Sequence, residues 1–197
     1  MQRLASAKIT LCGVGALGSN LADTLARQGV KDFHLIDKDR VEEQNIGTQI
    51  YFRAEVGAWK VEVLRNRLFR TTGIEVESVN NELTAGNANK LLKEGGLIVD
   101  LFDNSSSRKL VQETSRHLSL PCLHVGVNDG YAEVIWDEDY RVPADVPGEV
   151  CEYPLARNLI LLAVTVAAET IVRFFAEGIR ESWTITLKDL SIRRRED

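Results

Sequence analysis

Cysteine, basic charge and long apolar runs are all scarce in this sequence of 197 residues, and each scarcity excludes a class of protein. The three cysteines form no CxxC pair, so neither a disulfide framework nor a four-cysteine zinc site is expected. A formal net charge of −5 offers no basic surface to DNA or RNA. The first eight residues lack the apolar core of an export signal, and the longest apolar stretch, residues 159–168, is too short to span a bilayer.

These absences predict a reduced, cytoplasmic protein that binds neither nucleic acid nor membrane. The composition, 44% hydrophobic and 27% charged, is that of a globular protein with a continuous core. No internal repeat or low-complexity segment divides the chain, so we expect one domain over residues 1–197. The basic run at residues 193–195 stands beside Glu196 and Asp197 and is interpreted as a solvated tail.

The most informative stretch is KITLCGVGALGSNLADTLARQGVKDFHLIDKD, residues 8–39. It reads as strand, glycine turn, helix, strand and acidic residue, which is the order of a dinucleotide or nucleotide site. Gly13 permits the tight turn, and Gly15 lets the backbone approach a phosphate. Gly18 lets the helix pack closely on the strand, and Asp37 is placed to accept hydrogen bonds from ribose hydroxyls.

Apolar runs then alternate with helical patterns along the chain. Strands are predicted at residues 9–12, 33–36, 74–79, 97–102, 121–127, 131–136 and 183–187. Helices are predicted at residues 17–26, 56–69, 84–93, 105–118 and 155–177, and residues 137–154 are expected to be irregular. The alternation predicts an α/β fold. We expect a Rossmann-like, doubly wound, mainly parallel sheet with helices on both faces and antiparallel strands near the C-terminus.

Polar residues in two later segments favour a nucleoside triphosphate over a nicotinamide cofactor. The segments contribute Asp39, Asn45, Gln49 and Lys60 after the second strand, and Asp103 and Asn104 after the fourth. A lysine is a point charge for phosphate, and a carboxylate is a hard oxygen ligand for Mg²⁺. Lys60 and Asp103 together therefore predict a nucleoside triphosphate bound with Mg²⁺.

Four segments, GVGALGSN, DKDRVEEQNIGTQIYF, VGAWKVEVL and VDLFDNSSSR, resemble the ThiF/MoeB/HesA family of adenylyltransferases. This family is related to the ubiquitin-activating (E1) enzymes. The resemblance implies ATP and Mg²⁺ as cofactors and a small ubiquitin-like or sulfur-carrier protein as partner, whose C-terminal carboxylate is adenylated. It also implies a homodimer, and the long apolar helix at residues 155–177 is expected at or near the interface.

The resemblance also implies roles for single residues. Gly13, Gly15 and Gly18 would cradle phosphate, Asp37 and Asp39 would lie at the ribose, and Asn45, Gln49 and Lys60 would lie near the phosphates. Asp103, with Asn104 beside it, would hold Mg²⁺ and the nucleotide, so Asp103 and Lys60 are the catalytic candidates. Cys151 stands where some members have a cysteine that takes over the acyl group or sulfur. Its neighbours Glu149 and Glu152 would raise the pKa of that thiol, which argues against an activated nucleophile.

Two departures from the family pattern keep alternative functions open. Thr48 stands where the family has an arginine, and the N-terminal segment that lends a further arginine to the partner subunit is not seen. Arg40, Arg53 or Arg157 are the possible substitutes. The first alternative is a non-catalytic nucleotide-binding or scaffold member of the family. The second is an NAD-dependent oxidoreductase, supported by the glycine turn and Asp37 alone.

Overall fold

A mixed sheet of eight strands organises the residues that the computed structural model describes, 2–144 and 154–195. The strands are β1 (Lys8–Cys12), β2 (Asp32–Asp37), β3 (Glu77–Asn80), β4 (Leu97–Asp100), β5 (Cys122–Asn128), β6 (Tyr131–Trp136), β7 (Trp183–Thr186) and β8 (Ser191–Arg194). The helices are α1 (Gln2–Ala5), α2 (Ala16–Arg27), α3 (Lys60–Thr72), α4 (Ala88–Leu92), α5 (Ser105–His117) and α6 (Arg157–Glu177). Short 3-10 helices lie at Glu43–Gly47, Arg53–Glu55 and Pro154–Ala156.

The strand order is β3-β2-β1-β4-β5-β6-β7-β8. The five strands β3, β2, β1, β4 and β5 are parallel to one another. The pairs β5–β6, β6–β7 and β7–β8 are antiparallel. The chain therefore winds outward from β1 in one direction and then from β4 in the other. The Rossmann-like, mainly parallel sheet with antiparallel strands near the C-terminus is confirmed.

Alternating side chains on the central strands supply two hydrophobic cores, one on each face of the sheet. Leu11 of β1 and Val99 of β4 belong to the larger core, which the long helix α6 shares with α2 and α3. Cys12 and Ile98, one position along each strand, belong to the smaller core under α4 and α5. Because both faces of these strands are buried, their sequences read as continuous apolar runs and do not alternate between apolar and polar residues. The predicted placement of helices on both faces is confirmed.

Helix α3 begins at Lys60, four residues later than the apolar spacing predicted. Gly57 has φ +90°, and Arg40 and Trp59 form an isolated antiparallel bridge, so residues 56–59 are held outside the helix. Strand β3 likewise occupies Glu77–Asn80 rather than residues 74–79, and α4 is shorter than predicted. Tertiary pairing, which local periodicity does not contain, sets these boundaries.

The C-terminal arginines are not the solvated tail that we expected. Arg193 and Arg194 lie in β8, which pairs with β7 at the edge of the sheet. Their side chains remain exposed and form ion pairs with Asp189 and Glu181. A strand with one apolar residue, Ile192, gives almost no alternation to read.

Helix α6 has a buried face and a mixed outer face. Eight of its residues, among them Ile160, Ala163 and Ile171, are buried against the sheet and α2. By length and composition its 21 residues would suffice to cross a membrane, which corrects the argument that the apolar stretch is too short. The outer face, however, carries exposed Thr165 and Glu169, as in the core helix of a globular protein. The surplus of apolar surface is therefore smaller than the sequence suggested.

Candidate functional site

A cavity of about 520 Å³ lies where β1, β2 and β4 end. These strands are neighbours, and Cys12 at the end of β1 is aligned with Ile36 on one side and Asp100 on the other. The segments that follow the three strands therefore meet at one edge of the sheet, at the point where the winding direction changes. The cavity is lined by Gly13, Gly15, Ala16, Leu17, Asp37, Lys38, Asp39, Arg40, Glu42, Asn45, Gln49, Lys60, Asn81, Glu82, Leu83, Leu101, Phe102, Asp103, Asn104, Ser106 and Ser107. Of the predicted site residues that lie in the described ranges, all are among them except Gly18.

The glycine turn owes its shape to backbone contacts that side chains would block. Gly13 has φ +98°, and a Cβ there would lie 3.2 Å from the backbone of Leu101. A Cβ at Gly18 would lie 2.0 Å from the carbonyl oxygen of Gly13, so Gly18 serves the close approach of α2 and not the cavity wall. A Cβ at Gly15 would meet nothing nearer than Gln49 Nε2 at 3.9 Å. Gly15 therefore leaves room in the cavity beside the first turn of α2, where free N–H groups favour an anion.

Asp37 is buried and ties the turn to β2. Its Oδ2 accepts a hydrogen bond from the backbone N–H of Val14 at 2.7 Å, and its Oδ1 accepts one from the N–H of Asp39 at 2.8 Å. Burial raises the pKa of Asp37, although Lys60 and the two N–H donors oppose the increase. Because each carboxylate oxygen has a second acceptor position, both bonds are compatible with the predicted ribose contact.

Lys60 reaches the cavity from the first residue of α3. Its side chain is only 9% exposed, and its Nζ lies 3.6 Å from Asp39 Oδ2. Its backbone N–H donates to the carbonyl of Asp39 at 3.0 Å. The hydroxyl of Tyr51 donates to the carbonyl of Val14 at 2.7 Å and also lies 3.4 Å from the carbonyl of Lys60. Tyr51, which the sequence analysis did not single out, thus joins the glycine turn to the lysine.

The loop after β2 holds its polar residues by short-range hydrogen bonds. Asn45 Oδ1 accepts from the N–H of Glu42 at 2.9 Å, which closes the first 3-10 helix. The side chain of Gln49 is buried, and its Oε1 has no hydrogen-bond partner within residues 2–144 and 154–195. An unpaired buried amide in a cavity wall is the arrangement expected where a polar ligand completes the hydrogen bonding. Thr48 lies in the interior and not in the cavity wall, so position 48 contributes no cation.

Asp103 and Asn104 follow β4 but have different environments. Asn104 Oδ1 accepts hydrogen bonds from the N–H of Ser107 at 2.9 Å and the hydroxyl of Ser106 at 2.8 Å. It is the N-cap of α5, a role that engages the oxygen a metal would need. Asp103 is exposed, and its Oδ1 accepts a hydrogen bond from the side-chain amide of Asn104 at 3.3 Å. Of the two, Asp103 is therefore the side chain suited to bind a cation.

The cavity carries more negative than positive charge. Its wall contains five carboxylates (Asp37, Asp39, Glu42, Glu82 and Asp103) and three cations (Lys38, Arg40 and Lys60). Within the described part of the chain, no three His, Cys, Asp or Glu side chains are grouped to hold a metal by themselves. Mg²⁺ commonly takes one or two carboxylates and completes its shell with water and phosphate oxygens. The donor set therefore fits a metal that arrives with a polyphosphate.

A buried ion cluster beside the cavity was not found by the sequence analysis. His124 Nδ1 lies 2.8 Å from Asp100 Oδ2, and His124 Nε2 lies 3.3 Å from Asp137 Oδ1. The imidazole stacks on the ring of Tyr140 at 3.7 Å, and Arg108 donates to the Tyr140 hydroxyl at 3.0 Å. The one sequence feature that points to this cluster is Asp100, an aspartate at the end of the otherwise apolar strand β4.

The cysteines divide into two groups. Cys12 and Cys122 are free thiols in the core, and burial raises the pKa of both, so neither is poised to react. Cys151, the candidate for a covalent intermediate, lies outside the described residues, and its role stays a prediction.

Comparison with known proteins matches residues 1–159 to the ThiF family. A sulfur carrier protein adenylyltransferase of Thermus thermophilus is 33% identical over 124 residues, which cover 62% of this chain and 46% of the relative. A sulfur carrier protein ThiS adenylyltransferase of Bacillus subtilis is 29% identical over 127 residues, which cover 62% of this chain and 38% of the relative. The chain thus spans less than half the length of these curated relatives.

Solved structures share the fold. The crystal structure of E. coli MccB with ATP superposes with a TM-score of 0.80 at 17% identity, over 99% of this chain and 65% of that one. The structure of the Microcin C7 biosynthetic enzyme MccB with N-formylated MccA has a TM-score of 0.82 at 18% identity, over 99% of this chain and 66% of that one. At this level of identity the likeness establishes the architecture alone.

Proposed function

The chain belongs to the ThiF family, and from that premise we propose that it binds ATP with Mg²⁺ and adenylates the C-terminal carboxylate of a small ubiquitin-like or sulfur-carrier protein. The observation that carries the proposal is the single cavity in which the glycine turn, Asp37, Lys60 and Asp103 meet. Two relatives are named adenylyltransferases for sulfur carriers, which supports this substrate class. The comparisons do not favour the oxidoreductase or the non-catalytic alternative.

In the proposed reaction an oxygen of the carrier's terminal carboxylate forms a bond to the α-phosphorus of ATP. The bond from that phosphorus to the bridging oxygen breaks, and the electron pair leaves with pyrophosphate. Nucleophile and phosphate chain are both anionic, so the protein must neutralise charge and align the groups. Mg²⁺, when bound, would supply positive charge to the phosphate oxygens.

The residues of the chain have separate tasks in this scheme. The N–H groups at the start of α2 face the phosphates, and Asp37 holds that turn while it accepts from the ribose. The buried Lys60 ammonium would face the phosphate chain, and Asp103 would hold the metal.

We also propose that the protein is a cytoplasmic homodimer. Members of the resembled family generally pair. Leu155, in the 3-10 helix just before α6, is 71% exposed, and Leu161, near the start of α6, is 38% exposed. The free thiols of Cys12 and Cys122 suit a reducing compartment.

ATP–pyrophosphate exchange tests the proposed function. Wild-type protein should exchange labelled pyrophosphate into ATP only when Mg²⁺ and a cognate carrier ending in Gly-Gly are both present. Asp103→Ala should abolish exchange and also remove the Mg²⁺-dependent part of the thermal shift given by ATP, because the metal loses its protein ligand. Asp23→Ala, which changes an acid on the far part of α2, is the matched control and should retain both signals.

Two results would contradict the proposal. Exchange that stays absent across a broad panel of carriers, despite tight ATP binding, would assign the chain to the non-catalytic alternative. A thermal shift with NAD but none with ATP and Mg²⁺ would assign it to the oxidoreductases.

A further inference from the structure

The cations of the cavity wall are not equally available to a ligand. Lys38 Nζ lies 2.7 Å from Glu82 Oε1, and Lys60 Nζ lies 3.6 Å from Asp39 Oδ2. Arg40, the third cation of the wall, makes no ion pair with any residue in the described ranges 2–144 and 154–195. An incoming polyanion therefore meets one positive charge that no carboxylate already neutralises.

The Arg40 guanidinium is held in place although the residue is exposed. Its central carbon lies 3.5 Å from the centre of the Trp59 ring, and its Nη1 donates to the carbonyl of Gly57 at 2.6 Å. Stacking uses the face of the guanidinium, and the hydrogen bond uses one of its five N–H donors. Donors along the edge remain for a planar pair of oxygens such as a phosphate presents.

The same backbone contact positions Arg40 and Lys60. Arg40 and Trp59 form an antiparallel bridge, in which the N–H of Val41 donates to the carbonyl of Ala58 at 2.9 Å. Lys60 follows directly and donates its own N–H to Asp39 at 3.0 Å. Arg40, in the loop after β2, and Lys60, at the start of α3, are therefore held in a fixed relative position on the wall of the same cavity.

The other arginines considered from the sequence lie elsewhere. Arg53 is 81% exposed, is paired with Glu43 at 3.0 Å and does not line the cavity. Arg157 also lies outside the cavity wall, and its Nη1 contacts the carbonyl of Gly47 at 3.4 Å. Neither is placed to contact a ligand in the cavity.

We propose that Arg40, braced by Trp59, is a phosphate-binding residue of this site and supplies the arginine charge that Thr48 does not. This assignment rests on the proposed ATP binding. It predicts that Arg40 contributes to the affinity of ligands in proportion to their phosphate content and contributes nothing to nucleoside binding.

Calorimetric titration of adenosine, AMP and ATP with Mg²⁺ tests the assignment on the full chain. Arg40→Gln should weaken ATP binding by about tenfold to a hundredfold, the range of a lost charged hydrogen bond, and leave adenosine binding unchanged. Arg40→Lys should lose less, because it keeps the charge but not the fork of donors. Arg53→Gln, an exposed arginine of the neighbouring segment, is the matched control and should bind all three ligands like the wild type.

Unchanged ATP affinity in Arg40→Gln would overturn the assignment. Equal losses for adenosine and ATP would also overturn it, because they would indicate a distorted loop and not a lost phosphate contact. If the wild type itself does not bind ATP with Mg²⁺, the proposed function fails, whereas a failure confined to Arg40→Gln leaves that function intact. The melting temperature of each variant, compared with the wild type, verifies that the exposed substitution has not unfolded the protein.

Discussion

Among single residues, Asp37 has a structural role as well as the ligand role that the sequence suggested. Its two carboxylate oxygens accept backbone N–H groups from Val14 and Asp39, one on each of the segments that border the cavity. Removal of this side chain would leave both N–H groups without partners, and it would also remove any contact with the ribose. A loss of nucleotide affinity on mutation of Asp37 would therefore combine two effects.

His124 is the other residue whose environment departs far from that in water. Burial disfavours its charged form, but hydrogen bonds to Asp100 and Asp137 outweigh burial and raise the pKa of His124 to about 11. Burial likewise opposes ionisation of Asp137, yet hydrogen bonds from His124, Arg116 and Gln112 lower the pKa of Asp137 to about 2. The cluster joins the end of β4, three residues before Asp103, to the turn after β6. It therefore supports the position of that end of the cavity.

The raised pKa of His124 makes the stability of the fold depend on pH. The histidine has a pKa near 6.5 in the unfolded chain. Well below that pH both the folded and the unfolded states carry the proton, and the stabilisation of the fold by the charged imidazole is fully present. Above pH 6.5 only the folded state keeps the proton, and the stabilisation falls as the pH rises toward about 11. The free energy of unfolding, measured in urea, should decrease by up to about 1.4 kcal/mol per pH unit in this window.

His124→Gln should lose this pH-dependent component while other titrating groups remain. Subtraction of the two pH profiles isolates the contribution of His124. Parallel profiles for wild type and variant between pH 7 and 10 would show that the imidazole is not a buried cation. The lowered pKa of Asp137 has the opposite sign, because its contribution is lost only as the pH falls from about 3.8 through about 2.

Among the elements, α2 and its glycine turn combine a steric requirement and a binding requirement at separate positions. Gly18 provides the contact with the Gly13 carbonyl, and Gly15 leaves space toward the ligand. The helix begins without a side-chain cap, so its first N–H groups are available to an anion. Two glycines three residues apart therefore have different functions.

Alanine substitution at these two positions should separate stability from binding. Gly18→Ala places a Cβ 2.0 Å from a backbone oxygen, and the overpacking cost, about 1–3 kcal/mol or more, exceeds the gain of about 1 kcal/mol in helix propensity. The variant should lose stability in urea denaturation. Gly15→Ala should keep its stability to within about 1 kcal/mol but bind ATP more weakly, because the methyl group projects toward the cavity. The opposite pattern would refute these assignments.

At the scale of the whole molecule, α6 is the element that we expect at or near the interface of the proposed homodimer. Its inner face is covered by its own chain, and its outer face combines Leu161 with polar Thr165 and Glu169. The apolar surface of α6 that its own chain leaves uncovered is therefore smaller than the sequence suggested. The proposed homodimer is supported by the exposed side chains of Leu155 and Leu161 and by the dimers that members of the family generally form.

Light scattering at micromolar concentration should return about twice the chain mass of 22.0 kDa. Leu161→Glu should shift the protein to monomer, because a charge in an apolar interface has no partner. Ile192→Glu, which changes an exposed residue of the edge strand β8, is the matched control and should remain dimeric. A wild-type mass near that of one chain would contradict the dimer, and a dimeric Leu161→Glu would place the interface elsewhere.

The sequence by itself determined the fold class and most of the site. The alternation of apolar runs with helical patterns is local information, and it specifies a parallel sheet because parallel strands need crossover helices. The glycine turn, Asp37 and Asp103 were identified for the same reason, since each stands at a fixed offset from the end of a strand, whereas Lys60 was singled out with the help of the family resemblance. Parallel strands then bring such ends to one edge of the sheet.

Only the tertiary structure decided the features that depend on contacts between distant segments. The start of α3 follows from the bridge between Arg40 and Trp59, and the buried cluster of His124 joins β4, β5 and the turn after β6. The choice of Arg40 over Arg53 and Arg157 likewise required the positions of ion pairs across the cavity. Such contacts leave no periodicity in the chain, because their energy comes from groups that meet only after folding.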